Sequence, residues 1–117
     1  MPTRMEYIQA YAKGWTEGDP QQILNACAPG YFFDDPKQTA SVRRPQFEAY
    51  CKKLVVAAND AHKEPSAPFM AITDVLVSPD QSLVSCWWGI PALAVQGAGL
   101  IRVSDRGVES ERIAYYA

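Results

Sequence analysis

"YAKGWTEGDPQQILNACAPGYFFDDP", residues 11–36, changes its backbone chemistry three times in one short run. Tyr7, Ile8, Tyr11, Ala12 and Trp15 recur at the helical period and make one apolar stripe. Gly18 stops that helix, and Asp19 caps the next, with Pro20 at its first position. Ile23, Leu24 and Cys27 give the second helix a short buried face before Pro29-Gly30 ends it. The stretch closes on "GYFFDDP", where aromatic rings run into two acids and a proline. Side chains alternate faces in an extended segment, so Tyr31, Phe33 and Asp35 share one face while Phe32 and Asp34 share the other. With Tyr31 and Phe33 on the core, Asp35 is pressed against apolar surface, Asp34 looks to solvent and Pro36 ends the strand. Partial desolvation makes such a carboxylate a better base. A solvated Asp-Asp-Pro turn is the alternative reading of the same residues.

Working outward, a third helix starts near Pro45, where Phe47, Tyr50, Cys51, Leu54, Val55 and Ala58 keep the period. It dissolves into the polar "NDAHKEPSAP", residues 59–68. The period then changes. "FMAITDVLV", "SLVSCWW", "LAVQGAGLIRV" and "VESERIAYY" are rich in β-branched and aromatic residues, and "SPDQ", "GIPA" and "SDRG" between them are turn chemistry. Helices followed by an antiparallel meander make an α+β layout. On the second of these strands Val84, Cys86 and Trp88 form an apolar, cavity-facing set, with Trp87 on the outer face. On the third, Gly99, Ile101 and Val103 point inside and Arg102 outside. The glycine pair in "QGAG" predicts a bulge or tight bend, since no helix follows it to make a phosphate loop. On the last strand Glu111 shares a face with Ile113 and Tyr115. It is a second buried acid if that face is interior, and a solvated edge glutamate if not. Trp15 has the same two options, cavity wall or plain core.

The chain has 117 residues, the length of one domain spanning 1–117. Hydrophobic residues are 48% and charged residues 21%, ordinary for a soluble globular protein. A net charge of -2, with acids and bases interspersed, leaves no basic stripe for nucleic acid. Cys27, Cys51 and Cys86 are an odd, widely spaced set that reads as reduced buried thiols in a cytoplasmic protein. The single histidine, His62, lies in a polar stretch, has no assigned role, and does not complete a metal site with them. Residues 81–101 carry no charge, yet Gln, Ser, Pro and Gly interrupt them, so a buried hairpin is expected rather than a membrane helix. The first residues lack the apolar core of a signal peptide.

Residues 11–36 also resemble the opening of NTF2-like proteins, the superfamily of ketosteroid isomerase and the SnoaL-like polyketide cyclases. The carriers are Gly18-Asp19 at the helix end, the short helix over 20–28, and a strand closing in Asp34-Asp35-Pro36. The match runs ungapped from Tyr11 to Pro36 and more loosely over the whole chain. It implies an NTF2-like (cystatin-like) α+β cone, three N-terminal helices packed on a curved, mostly antiparallel sheet. It implies Asp35 as general base and Tyr11 as hydrogen-bond donor to a developing enolate oxygen, with no acid at the family's third position, near Gly99. Around these, Trp15, Tyr31 and Phe33 from the first half and Val84, Cys86, Trp88, Ile101 and Glu111 from the sheet would hold a small hydrophobic molecule. The implied function is a cofactor-free, metal-free isomerase, cyclase or dehydratase acting on a hydrophobic carbonyl compound. The alternative is a non-catalytic module for small-ligand binding or dimerisation. A homodimer through the outer sheet face, which carries Trp87, is expected in either case, with neither nucleic acid nor membrane as partner.

Overall fold

Thr3 opens the first helix, α1 (Arg4–Glu17), with a reciprocal cap: its hydroxyl accepts from the Glu6 N–H while the Glu6 carboxylate accepts from the Thr3 N–H. Gly18 closes it in the left-handed conformation, φ 67, which a side chain would resist. Asp19 then accepts from the backbone of Gln21 and Gln22 to start α2 (Pro20–Asn25). The rest follows as β1 (Cys27–Asp34), β2 (Val42–Arg43), α3 (Arg44–Ala61), β3 (Ala71–Val77), β4 (Leu83–Ile90), a turn of 3-10 helix (Pro91–Leu93), β5 (Val95–Ser104) and β6 (Gly107–Tyr115). The computed structural model describes residues 2–61 and 68–116, so His62 lies outside the described residues. Two strands separate α2 from α3, and the helices do not form one uninterrupted N-terminal block.

The six strands form one sheet in the order β2-β1-β6-β5-β4-β3. β3 to β6 make the expected antiparallel meander, and the uncharged run over 81–101 is β4, the short 3-10 turn and β5. Among the described residues no helix is long and apolar enough to cross a membrane. One pairing is parallel: β1 lies beside β6 with Phe33 opposite Glu111. Alternation reveals that a segment is a strand but says nothing of its partner, so this neighbour is absent from any local pattern. The glycine pair causes no bulge. β4 and β5 stay in register through Trp88–Gly97 and Cys86–Gly99, and the irregularities fall instead at Cys27/Phe32, Thr73/Leu76 and Arg102/Val103. Strand β3 starts at Ala71 rather than Phe69, because the Phe69 N–H is drawn to the Thr16 carbonyl at the end of α1, at 3.0 Å.

Phe47 joins the layers. It is fully buried on α3, and its ring lies 5.7 Å from Trp15 of α1 and 5.5 Å from Tyr31 of β1, both edge-on. Truncating it to Ala is expected to lower stability by about 3–5 kcal/mol, a large share of a small domain's total. On the same helix Val56 is 58% exposed, and Val56→Ala should stay within about 0.5 kcal/mol. Urea unfolding of the two variants checks this; equal losses would mean that the aromatic contact does not hold α3 in place.

Candidate active site

Between α1, α3 and the inner sheet face lies a cavity of about 420 Å³. Most of its wall is apolar, supplied by side chains such as Ile8, Trp15, Val84, Trp88 and Ile101. Two polar clusters interrupt that wall.

The first cluster is a relay of three residues. Tyr11 of α1 donates to Glu111 Oε1 of β6 at 2.5 Å, and the Tyr31 hydroxyl lies 2.6 Å from that of Tyr11. A phenol carries one proton, so with Tyr11's committed to Glu111, Tyr31 is the donor to Tyr11. Glu111 is buried, and its Oε2 accepts no hydrogen bond from the described residues. Gly99 makes the room for it: a Cβ at that position would collide with Glu111 Oε2, with Cys86 Sγ beside it at 3.6 Å. Burial pushes the Glu111 carboxyl up to about 7, opposed in part by the hydrogen bond from Tyr11. Burial also raises Tyr11 and Tyr31 well above the ordinary phenol value, so both keep their protons. The Cys86 thiol is pushed up to about 11 by burial, which makes it a wall rather than a nucleophile.

The second cluster surrounds Asp35, which is 7% exposed just past the end of β1. It is not a lone carboxylate. Oδ1 accepts from the Lys37 N–H and the Tyr115 hydroxyl, each at 2.9 Å, and Oδ2 accepts from the Tyr50 hydroxyl at 2.7 Å. The Lys37 ammonium sits 4.2 Å from the centre of the Tyr115 ring. Asp34 does point the other way, but it is half-buried rather than free in water: Ser41 donates to it, and Arg112 Nε stands 3.7 Å away.

Of the residues singled out in the sequence, Asp35, Tyr11, Trp15, Phe33, Val84, Cys86, Trp88, Ile101 and Glu111 all line the one cavity. Tyr31 does not: it stands behind Tyr11 and reaches the cavity only through that hydroxyl. Tyr50 and Tyr115, the partners of Asp35, were missed. Tyr115 alternates with Glu111 and Ile113, so the inner-face reading of β6 contained it; Tyr50 looks in sequence like any apolar member of the α3 stripe. Among the described residues, no group of three or more His, Cys, Asp or Glu side chains could hold a metal ion.

An α+β arrangement with a single-sided apolar cavity and two acid clusters is the class defined so far. Solved structures give the class its fold. An NTF2-like protein of unknown function from Cytophaga hutchinsonii matches with a TM-score of 0.62 at 11% identity, over 99% of this chain and 92% of its own. SalBIII, an epoxide hydrolase/cyclase-like enzyme in pyran ring formation in the polyether salinomycin, matches at 0.67 and 14%, over 97% and 90%. A Catenulispora acidiphila protein with a ketosteroid isomerase-like fold, in complex with trimethylamine, matches at 0.65 and 21%, over 94% and 85%. No protein-family model and no curated protein matches the sequence. The chain has the NTF2-like, cystatin-like fold.

Glu111 gives this site a signature in stability. Its carboxyl ionises near the ordinary value of 4.5 in an unfolded chain and near 7 in the folded protein. Between those values the native state binds more protons, so the contribution of Glu111 is greatest below 4.5 and falls as pH rises to 7. Relative to the parent, Glu111→Gln should therefore gain stability between about pH 5 and about pH 8 in parallel urea titrations. A difference that does not vary with pH would contradict the burial of this acid.

Proposed function

We propose that the protein is a cofactor-free enzyme of the isomerase, cyclase or dehydratase kind that moves a proton beside the carbonyl of a small hydrophobic molecule. The observation that supports this most directly is the shared cavity, which joins the Asp35 carboxylate to the Tyr11–Glu111 pair across an apolar wall. Three donors occupy three of the roughly four acceptor positions of Asp35, leaving one free for a substrate proton. Asp35 takes that proton from the carbon next to the carbonyl, and the developing oxygen anion faces Tyr11.

The donor side depends on Glu111. When Glu111 carries a proton, its bond to Tyr11 reverses, and Tyr11 accepts from both Glu111 and Tyr31. The Tyr11 proton is then free for the substrate oxygen, and a phenol that accepts two hydrogen bonds is the stronger donor for it. Glu111 thus supplies from β6 the acid that is lacking at Gly99 on β5. The likeness of the fold to that of SalBIII supports the cyclase side of this reading.

Solvent deuterium exchange into a panel of hydrophobic cyclic ketones, followed by NMR, tests the proposal. Asp35→Asn should slow exchange roughly 10²–10⁴-fold, the usual contribution of a positioned base. Tyr11→Phe should slow it roughly 10²–10³-fold, as loss of one oxyanion donor does elsewhere. Exchange should fall as pH rises through about 7, where Glu111 loses its proton. No exchange above the solvent rate with any ketone, together with tight binding of the ketones, would leave a ligand-binding module instead.

We also propose that the protein is a homodimer through the outer sheet face. Leu76 is 71% exposed there, and Trp87 packs edge-on against Tyr116 at 5.5 Å with no further layer above them among the described residues. Light scattering should report twice the chain mass at micromolar concentration, and Trp87→Asp should return it to one; a monomeric parent protein would end this proposal.

A further inference from the structure

The charges around the cavity do not balance. Asp35 and Glu111 are two buried acids on its wall, while Lys37 at the rim is the one basic side chain among the described residues that lines it. The groups that face Glu111 are Tyr11 from α1, Tyr31 and Cys27 from β1 and Cys86 from β4, none of which is a cation. Its Oε2 accepts no hydrogen bond from the described residues. Rings make up much of the remaining wall, including Trp15, Phe33, Tyr50, Trp88 and Tyr115. Buried negative charge among ring faces is the surrounding that an organic ammonium group prefers. The chain already places one there: the Lys37 ammonium lies over the Tyr115 ring, whose hydroxyl is bound to Asp35.

We infer that this cavity also binds small hydrophobic amines, with the ammonium group held by Asp35 and Glu111 against the ring faces and the apolar body filling the space toward Ile101 and Val84. This uses the cavity described above but not the proton transfer, and it stands whether or not the protein is a catalyst. It also sets the selectivity. A carboxylate or phosphate of the same shape is repelled by both acids, and a neutral alcohol binds through its body alone. Lys37 competes with the ligand for the Tyr115 ring, so its removal should strengthen amine binding.

Three adamantane probes of nearly equal shape make the test: 1-adamantanamine, 1-adamantanol and adamantane-1-carboxylate, titrated calorimetrically into the full chain. At about pH 8 the amine should bind at least roughly tenfold more tightly than the alcohol, and the carboxylate should not bind. Asp35→Asn and Glu111→Gln should each weaken the amine about tenfold and leave the alcohol unchanged, and Lys37→Gln should tighten the amine a few-fold. Lowering the pH to about 6 should weaken the amine alone, because Glu111 then holds a proton that binding must expel; protons released to the buffer report this directly. Should Glu111→Gln not fold, the Asp35→Asn and Lys37→Gln arms and the pH dependence decide the matter. Alcohol binding equal to or tighter than amine binding, unchanged selectivity in the variants, or no binding by any probe would each overturn the inference. Ketone exchange without amine selectivity would overturn this inference and leave the enzyme reading intact; amine selectivity without exchange would do the reverse.

Discussion

The parallel pairing of β1 with β6 is the constraint on which the site depends. It sets Phe33 opposite Glu111, so the face that carries Tyr31 and Phe33 toward the core continues across the strand boundary into Glu111, Ile113 and Tyr115. Asp35, just beyond the end of β1, thereby meets the Tyr115 hydroxyl, and Glu111 meets Tyr11 from the helix above. A shift of that register by one residue would turn Glu111 to the outer face and leave the cavity with a single acid. Both polar clusters therefore hang on one strand pairing between segments that are far apart in the chain.

Much of this was legible locally. Gly18, Asp19 and Pro20 are signals whose chemistry acts over a few residues, and α1 stops and α2 starts where those residues stand. The alternation that places Asp35 inward and Asp34 outward is equally local, as is the inward set Val84, Cys86 and Trp88. What could not be read was contact between distant segments. In sequence Glu111 fits core and edge alike, because its side depends on whether β6 is a central strand, which it is, between β1 and β5. The space at Gly99 is hidden for the same reason: the atom that fills it belongs to another strand. Tyr50 was hidden in an apolar helical stripe, where a tyrosine and a phenylalanine have the same pattern value and only the partner of the hydroxyl separates them.

The two acids are held in opposite ways. Asp35 is surrounded by donors, one from the backbone and two from phenols, which fix its direction into the cavity. Glu111 has one donor among the described residues, on a stretch of wall whose neighbours Tyr11, Cys86 and Ile101 carry no charge. Well-saturated buried carboxylates are a common structural device, whereas an acid left half-satisfied works against the fold that holds it. The indole N–H groups of Trp15 and Trp88, also on cavity-lining rings, are buried without an acceptor. These polar groups, incompletely paired among the described residues, gather around one cavity.

Gly99 and Glu111 are best understood as one unit. From β6, one strand away and diagonal to Gly99, the long side chain of Glu111 reaches the Tyr11 hydroxyl. That side chain then needs the volume a residue at 99 would fill, and glycine is the residue that yields it. The pair places an acid against Tyr11, and the carboxyl approaches from β6, the strand beside β1, on the same inner face as Tyr115. Glu111 on β6 and Asp35 just past the end of β1 therefore line one cavity from neighbouring segments of the sheet.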